Sequence, residues 1–143
     1  MSTPPVTEGQ QRNVEFVRRF LNFLNDGGLT AIDHQIDSFI HPEIEWTPGL
    51  MALGKKTYRG RDEYRRYVKE ADQRVSNQGF LNIDEIRPID EDGVLALCWI
   101  HLVSAEGESL DNDYALLVRF EDGLIRSLQS FLSRDEAERA AGA

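Results

Sequence analysis

GVLALCWIHLVSAEGESLDNDYALLVRFEDGLIRSLQSFL, residues 93–132, decides the fold. Apolar residues fill three runs, 94–104, 109–120 and 124–132. The connections EGE (106–108) and EDG (121–123) are short enough that consecutive runs must be antiparallel neighbours. A further run, 80–89, precedes them across EDG (91–93), so the spacing predicts a four-strand meander. Strands of eleven or twelve residues must twist and curl.

Upstream the period is helical. Val14, Val17, Leu21 and Leu24, widened by Phe16, Phe20 and Phe23, predict a helix over 11–25 that Gly27 and Gly28 end. A second helix is expected from Thr30, as N-cap, through Ile32, Ile36, Phe39 and Ile40 to Pro42. IEWTPG (44–49) reads as a short strand. A third helix starts at Asp62 with the stripe Tyr64, Tyr67, Val68, Ala71 and Val75, and the last ten residues suggest a frayed terminal helix. Residues 1–10 read as a flexible arm and 11–143 as one domain. The fold class is α+β: three N-terminal helices over the concave face of a cone-shaped, mainly antiparallel sheet, leaving a closed-ended pocket.

Sixteen lysines and arginines stand against 25 aspartates and glutamates, and the net charge of -9 argues against nucleic acid and anionic membranes as partners. Seven of the sixteen, Lys55, Lys56, Arg59, Arg61, Arg65, Arg66 and Lys69, fall within fifteen positions, either as a solvated helix face or as a patch that steers an anion. The single cysteine, Cys98, excludes an internal disulfide and sits in an apolar run. With no leader-like start or membrane-length apolar segment, the expected location is the cytoplasm. No phosphate loop, GxSxG elbow or metal-ligand spacing is present, so neither metal nor cofactor is expected.

FVRRFLNFLNDGG (16–28), HPEIEWTPG (41–49), YRGRDEYRRYV (58–68) and LVRFEDGLIRSLQSFLSRDEA (117–137) resemble the nuclear transport factor 2-like superfamily, in particular its SnoaL-like, ketosteroid-isomerase-related branch. That resemblance implies a cone used for isomerisation, epoxide hydrolysis, dehydration or cyclisation, and also for non-catalytic binding and dimerisation. It does not carry a known catalytic set onto this chain. The isomerase tyrosine falls on Phe20, its aspartate base on Thr47 and its second aspartate on Leu116. The epoxide hydrolase Arg-x-Asp pair falls about on Trp99 and His101, and its last aspartate about on Ser130. Where the cyclases have an aspartate, Gln129 and Ser130 stand.

Alternation divides the 94–104 strand into Leu95, Leu97, Trp99, His101 and Val103 on one face and Val94, Ala96, Cys98, Ile100 and Leu102 on the other. Both faces are apolar, which predicts helices on one and a second subunit on the other. The resemblance turns Trp99 and His101 into the pocket, with Asn112, Tyr114 and Leu116 on the next strand, Leu128 and Ser130 on the last, and Phe20, Glu45 and Thr47 completing the lining. His101 is then either the general base or a structural histidine satisfied by a neighbour, and Tyr114 either an oxyanion donor or packing. Glu45 is a second-choice acid or base. The expected function is binding of an apolar small molecule, with cofactor-free proton transfer on a polyketide, steroid or terpenoid-like compound if there is turnover. The other reading is a non-catalytic module that dimerises. A one-residue slip of a strand would exchange its faces.

Overall fold

The computed structural model describes residues 6–49, 57–75 and 79–142. Five helices and six strands follow in the order α1 (Glu8–Gly27), α2 (Leu29–His34), α3 (Ile36–Phe39), β1 (Ile40–Thr47), β2 (Tyr58–Arg59), α4 (Gly60–Asp72), β3 (Phe80–Asp90), β4 (Gly93–Val103), β5 (Ser109–Glu121), β6 (Leu124–Phe131) and α5 (Arg134–Ala140). The strands form one curved, open sheet in the order β2-β1-β6-β5-β4-β3, with β1 parallel to β6 and every other pair antiparallel. The expected meander is therefore present, and β1 extends it past β6.

Three boundaries differ from the sequence reading. Helix α1 reaches back to Glu8, into the segment read as an arm, because Thr7 and Gln10 form a capping box: the Thr7 hydroxyl accepts the Gln10 N–H, and the Gln10 side chain accepts the Thr7 N–H. The first five residues of that arm lie outside the described residues. The second helix breaks at Gln35 and the chain turns extended at Ile40, so Pro42 lies within β1 instead of stopping a helix. The β1–β6 register shifts between Ile40 and Glu45, and a proline without an N–H is tolerated at such an irregularity. Finally, Tyr58 and Arg59 form the short edge strand β2. Of the basic cluster, Lys55 and Lys56 lie outside the described residues. Arg59, Arg61 and Arg65 pair with Glu45, Asp37 and Asp33.

The concave face packs under α1 and α4. Val94, Ala96 and Cys98 of β4, Leu116, Val118 and Phe120 of β5, and Ile125 and Leu128 of β6 join Val17, Phe20 and Leu21 of α1 and Tyr64, Tyr67 and Val68 of α4 in one buried cluster. Cys98 is thus core, against the expectation that its face would be the outer, subunit-facing one. Burial pushes its thiol up to about 12, which keeps it a protonated small hydrophobe. On the convex face, Leu95, Leu97 and Ala115 pack against Ala137 of α5. Ion pairs from Arg87 to Glu138 and from Arg134 to Asp84 pin that helix down.

One side chain covers an exposed edge, and one turn depends on backbone freedom. Strand β3 is the edge of the sheet opposite β2, and Asn25 near the end of α1 occupies part of it. The amide donates to the Leu81 carbonyl at 2.6 Å and accepts the Leu81 N–H at 2.7 Å, as a neighbouring strand would. At the β5–β6 hairpin, Asp122 and Gly123 both take positive φ (55° and 78°), the requirement of a two-residue turn that matches strand twist.

Candidate functional site

The helices do not fill the cone evenly. Towards one end Phe39 of α3 sits among Phe16, Phe20 and Phe23, with ring centroids 5.4, 5.6 and 5.7 Å away, and Phe16 also meets Phe120 at 5.2 Å. That end is solid. Elsewhere a partly enclosed cavity of about 590 Å³ remains, within the range of small-molecule sites. Its walls are Phe20 and Leu24 of α1, Trp46 of β1, Tyr64, Tyr67 and Val68 of α4, Ile100 and Leu102 of β4, Tyr114 and Leu116 of β5, and Leu128 of β6.

The polar content of this lining is narrow. Three of the chain's four tyrosines line the cavity: Trp46 meets Tyr64 and Tyr67 at 6.5 and 5.5 Å, Tyr114 faces them from the sheet, and the fourth, Tyr58, packs edge-on against Tyr67 at 5.0 Å. Burial, with the neighbouring Tyr114 hydroxyl, raises the ionisation of Tyr64 and Tyr67 well above the usual tyrosine range. Burial pushes Tyr114 up to about 12, partly offset by the nearby Ser130 hydroxyl. All three remain neutral hydrogen-bonding groups at ordinary pH. Among the described lining residues the carboxylates are Asp26 and Asp72, both exposed, and there is no lysine, arginine or histidine.

Of the residues expected in the pocket, Phe20, Tyr114, Leu116 and Leu128 are in its lining. Ser130 lies just behind it, 4% exposed, with its hydroxyl accepting the Gly49 N–H at 2.7 Å. Trp99 and His101 are not there, and their expected inward placement is corrected. In the β4–β5 ladder Cys98 is opposite Tyr114, Trp99 opposite Asp113 and His101 opposite Asp111. Trp99 and His101 therefore project from the convex face, Trp99 at 40% exposure. His101 Nδ1 lies 2.8 Å from Asp111 Oδ1 and its ring packs beside Phe80, which answers its polarity without any role in the cavity.

Glu45 and Thr47 are also turned away, because Trp46 between them is the inward residue of β1. Glu45 pairs with Arg59 at 2.5 Å, and the Thr47 hydroxyl lies 3.0 Å from that of Thr57. The Asn112 amide gives both its hydrogen bonds to the carbonyls of Asp113 and Leu132. Helical spacing reads Tyr64 and Tyr67 as core, and nothing in the sequence singles out Asp26 or Asp72. Two tyrosines three apart on a buried helix face were the available signal, since each hydroxyl needs a polar surrounding.

His41, expected at a helix end, is instead a buried residue of β1, and with Glu43 and Glu121 it brings three ligand-type atoms within 4.8 Å of one another. Its Nδ1 accepts the Glu43 N–H at 3.0 Å. That bond commits the only lone pair of a neutral imidazole, so the proton resides on Nε2 and points at Glu121 Oε2, 3.2 Å away. A metal ion would need that same nitrogen without its proton. The cluster is a self-satisfied hydrogen-bond group.

Comparison with known proteins agrees with this architecture. The family model described as SnoaL-like domain matches residues 17–128. No curated protein matches the sequence significantly. Among solved structures, an NTF2-like protein of unknown function from Burkholderia pseudomallei K96243 is similar at 19% identity and a TM-score of 0.71, over 92% of this chain and 98% of that one. A putative SnoaL-like polyketide cyclase from Jannaschia sp. CCS1 is similar at 14% identity and a TM-score of 0.69, over 100% and 98%. An epoxide hydrolase of the LEH-like kind from M. tuberculosis is similar at 15% identity and a TM-score of 0.66, over 92% and 90%. These likenesses are of fold. The chain belongs to the SnoaL-like domain family, with the cone of the nuclear transport factor 2-like proteins.

Proposed function

We propose that the cavity binds a flat or bulky apolar small molecule of polyketide, steroid or terpenoid type. The observation that supports this reading is the contrast between the two ends of the cone: one packed solid with phenylalanines, the other hollow and edged with neutral hydroxyls. An unfilled volume costs stability, and polar side chains around it cost more unless they are used. A proton-transfer activity is a second reading. It rests on Asp26 and Asp72, the carboxylates among the described lining residues, which include no histidine or lysine, since His101 faces away.

A panel of polycyclic ketones and terpenoid alcohols, screened by thermal shift, tests the binding reading. A ligand at 100 times its Kd stabilises the folded state by about 2.7 kcal/mol. Ile100→Trp puts an indole into the hollow and is expected to abolish that shift while the protein still folds. If Ile100→Trp keeps the full shift, or no member of the panel stabilises the wild type, the cavity is not the binding site.

The convex face supports a second proposal, assembly into a homodimer. Trp99 stands 40% exposed on the face of His101, outside the area that α5 covers, and Phe80, which also edges the cavity, is 55% exposed beside the His101 ring. Light scattering is expected to give twice the chain mass of 16.3 kDa, and Trp99→Glu to return the protein to that mass. A wild type that is monomeric at tens of micromolar would remove this interface from the reading. Among the described residues no helix is long and apolar enough to cross a membrane. With its lone cysteine buried as a free thiol, the cytoplasm is the location we propose.

A further inference from the structure

We propose that the cavity selects cations: its ligand carries a protonated amine on the apolar body, held at the mouth between the Asp26 and Asp72 carboxylates and the aromatic wall behind them. This names the ligand class of the cavity and rests on the cavity being a binding site. Two helices end at the mouth. The end of α1 brings Asn25, Asp26, Gly27 and Gly28 to it, and α4 brings Asp72, one turn beyond Val68 and two beyond Tyr64 on the same helix face.

A helix C-terminus carries the negative end of the backbone dipole, so an acidic side chain there costs stability where a basic one would add it. The last turn of α1 nevertheless holds Asp26 and no basic residue, and α4 ends on Asp72. The basic residues that flank Asp72, Lys69 and Arg74, are exposed and stand outside the lining. Two dipole ends and two carboxylates therefore add to one negative potential at the opening of an apolar hollow, whose low-dielectric walls concentrate the field.

Behind the carboxylates the wall is aromatic. Trp46, Tyr64, Tyr67 and Tyr114 line it, with Trp46 meeting Tyr64 and Tyr67 at 6.5 and 5.5 Å. The faces of such rings attract an ammonium and its alkyl groups, more strongly where water is excluded. The indole N–H of Trp46, in a residue 6% exposed, has no hydrogen-bond partner among the described residues, so the wall is incomplete without something bound. A neutral ligand would use the rings and leave the carboxylates unanswered, and an anion would be repelled by them. An amine uses both: its proton is donated to a carboxylate oxygen while its alkyl groups lie on the rings.

The probes are three naphthalenes of similar size: dimethyl(2-naphthylmethyl)amine, protonated at neutral pH; 2-(methoxymethyl)naphthalene, which is uncharged; and 2-naphthylacetate, an anion. Calorimetric titration of the wild type is expected to give the amine about tenfold tighter than the ether, with the acetate weakest, and the difference should shrink as sodium chloride is raised. Asp26→Asn combined with Asp72→Asn should remove the difference. By taking two acids off helix C-termini it should also leave the melting temperature unchanged or raised, which shows that the variant folds. Ile100→Trp should abolish binding of the amine. Equal affinity of the wild type for amine and ether would overturn the inference and leave the cavity reading standing. A preference that survives in the folded double variant, or amine binding that survives Ile100→Trp, would overturn it as well, by placing the cation elsewhere. If the wild type binds none of the three, the cavity reading falls and takes this inference with it.

Discussion

Raising the pH above about 10 is expected to unfold this protein in a single step in which its buried tyrosines ionise together. Tyr64 and Tyr67 are each 5% exposed, and burial, followed by the nearby Tyr114 hydroxyl, lifts both ionisations above the value of about 10 for an unfolded chain. Below that value both states hold the phenolic proton and stability does not depend on it. Above it the unfolded chain releases protons that the folded chain retains, so stability falls as pH rises, by about 1.4 kcal/mol per unit for each group. Two such groups remove about 3 kcal/mol per unit, and a domain stable by about 5–15 kcal/mol is exhausted within a few units. Tyrosinate absorbance near 295 nm and near-ultraviolet circular dichroism should therefore change together, and Tyr64→Phe should move the midpoint to higher pH. A gradual absorbance rise centred near 10 with the dichroism intact would show that these hydroxyls are solvated, and the hydroxyl-edged interior would have to be abandoned.

The strands were legible in the sequence because their periodicity and turns agree, and the four runs of the meander match β3 to β6 to within a residue or two. The faces were not all legible, and His101 shows why. An alignment to distant relatives set it beside Tyr114, yet five residues, 104–108, separate the paired ends Val103 and Ser109. An odd number of intervening residues pairs odd positions with odd and even with even along an unbulged antiparallel ladder. By that parity His101 belongs with Asp111 and Asp113, and Tyr114 with Cys98. The ladder, by fixing that turn at five residues, puts His101 and Tyr114 on opposite faces, and Tyr114 is the one that lines the cavity. Elsewhere parity fails as a guide, because β3 and β6 carry bulges against their neighbours that no residue count reveals. Helix faces were easier: Val17, Phe20 and Leu21 of α1 and Tyr64, Tyr67, Val68 and Ala71 of α4 are buried as their spacing predicts, but α4 ends before Val75, which bridges to Ser104, and what escaped was that Tyr64 and Tyr67 edge a hollow as well as a core.

Phe39→Ala is expected to cost about 3–5 kcal/mol, the range for emptying a buried aromatic site, and so to lower the melting temperature by about 10 °C for a chain of this length. Phe39 is 5% exposed and is the hub of its cluster, meeting three phenylalanines of α1 edge-on or tilted while the Arg19 guanidinium lies 5.7 Å over its ring. Alanine leaves those rings without a common partner, and three helical residues before it cannot collapse into the gap without dragging the start of β1. The comparison that matters is with Ile100→Trp, which adds volume at the other end. If the hollow is a binding site kept open against stability, filling it should leave the melting temperature unchanged or raised, while emptying the phenylalanine end lowers it steeply. Loss of stability in both variants by similar amounts would mean that the walls around Ile100 are packed as tightly as those around Phe39, and the asymmetry on which the binding reading stands would be gone.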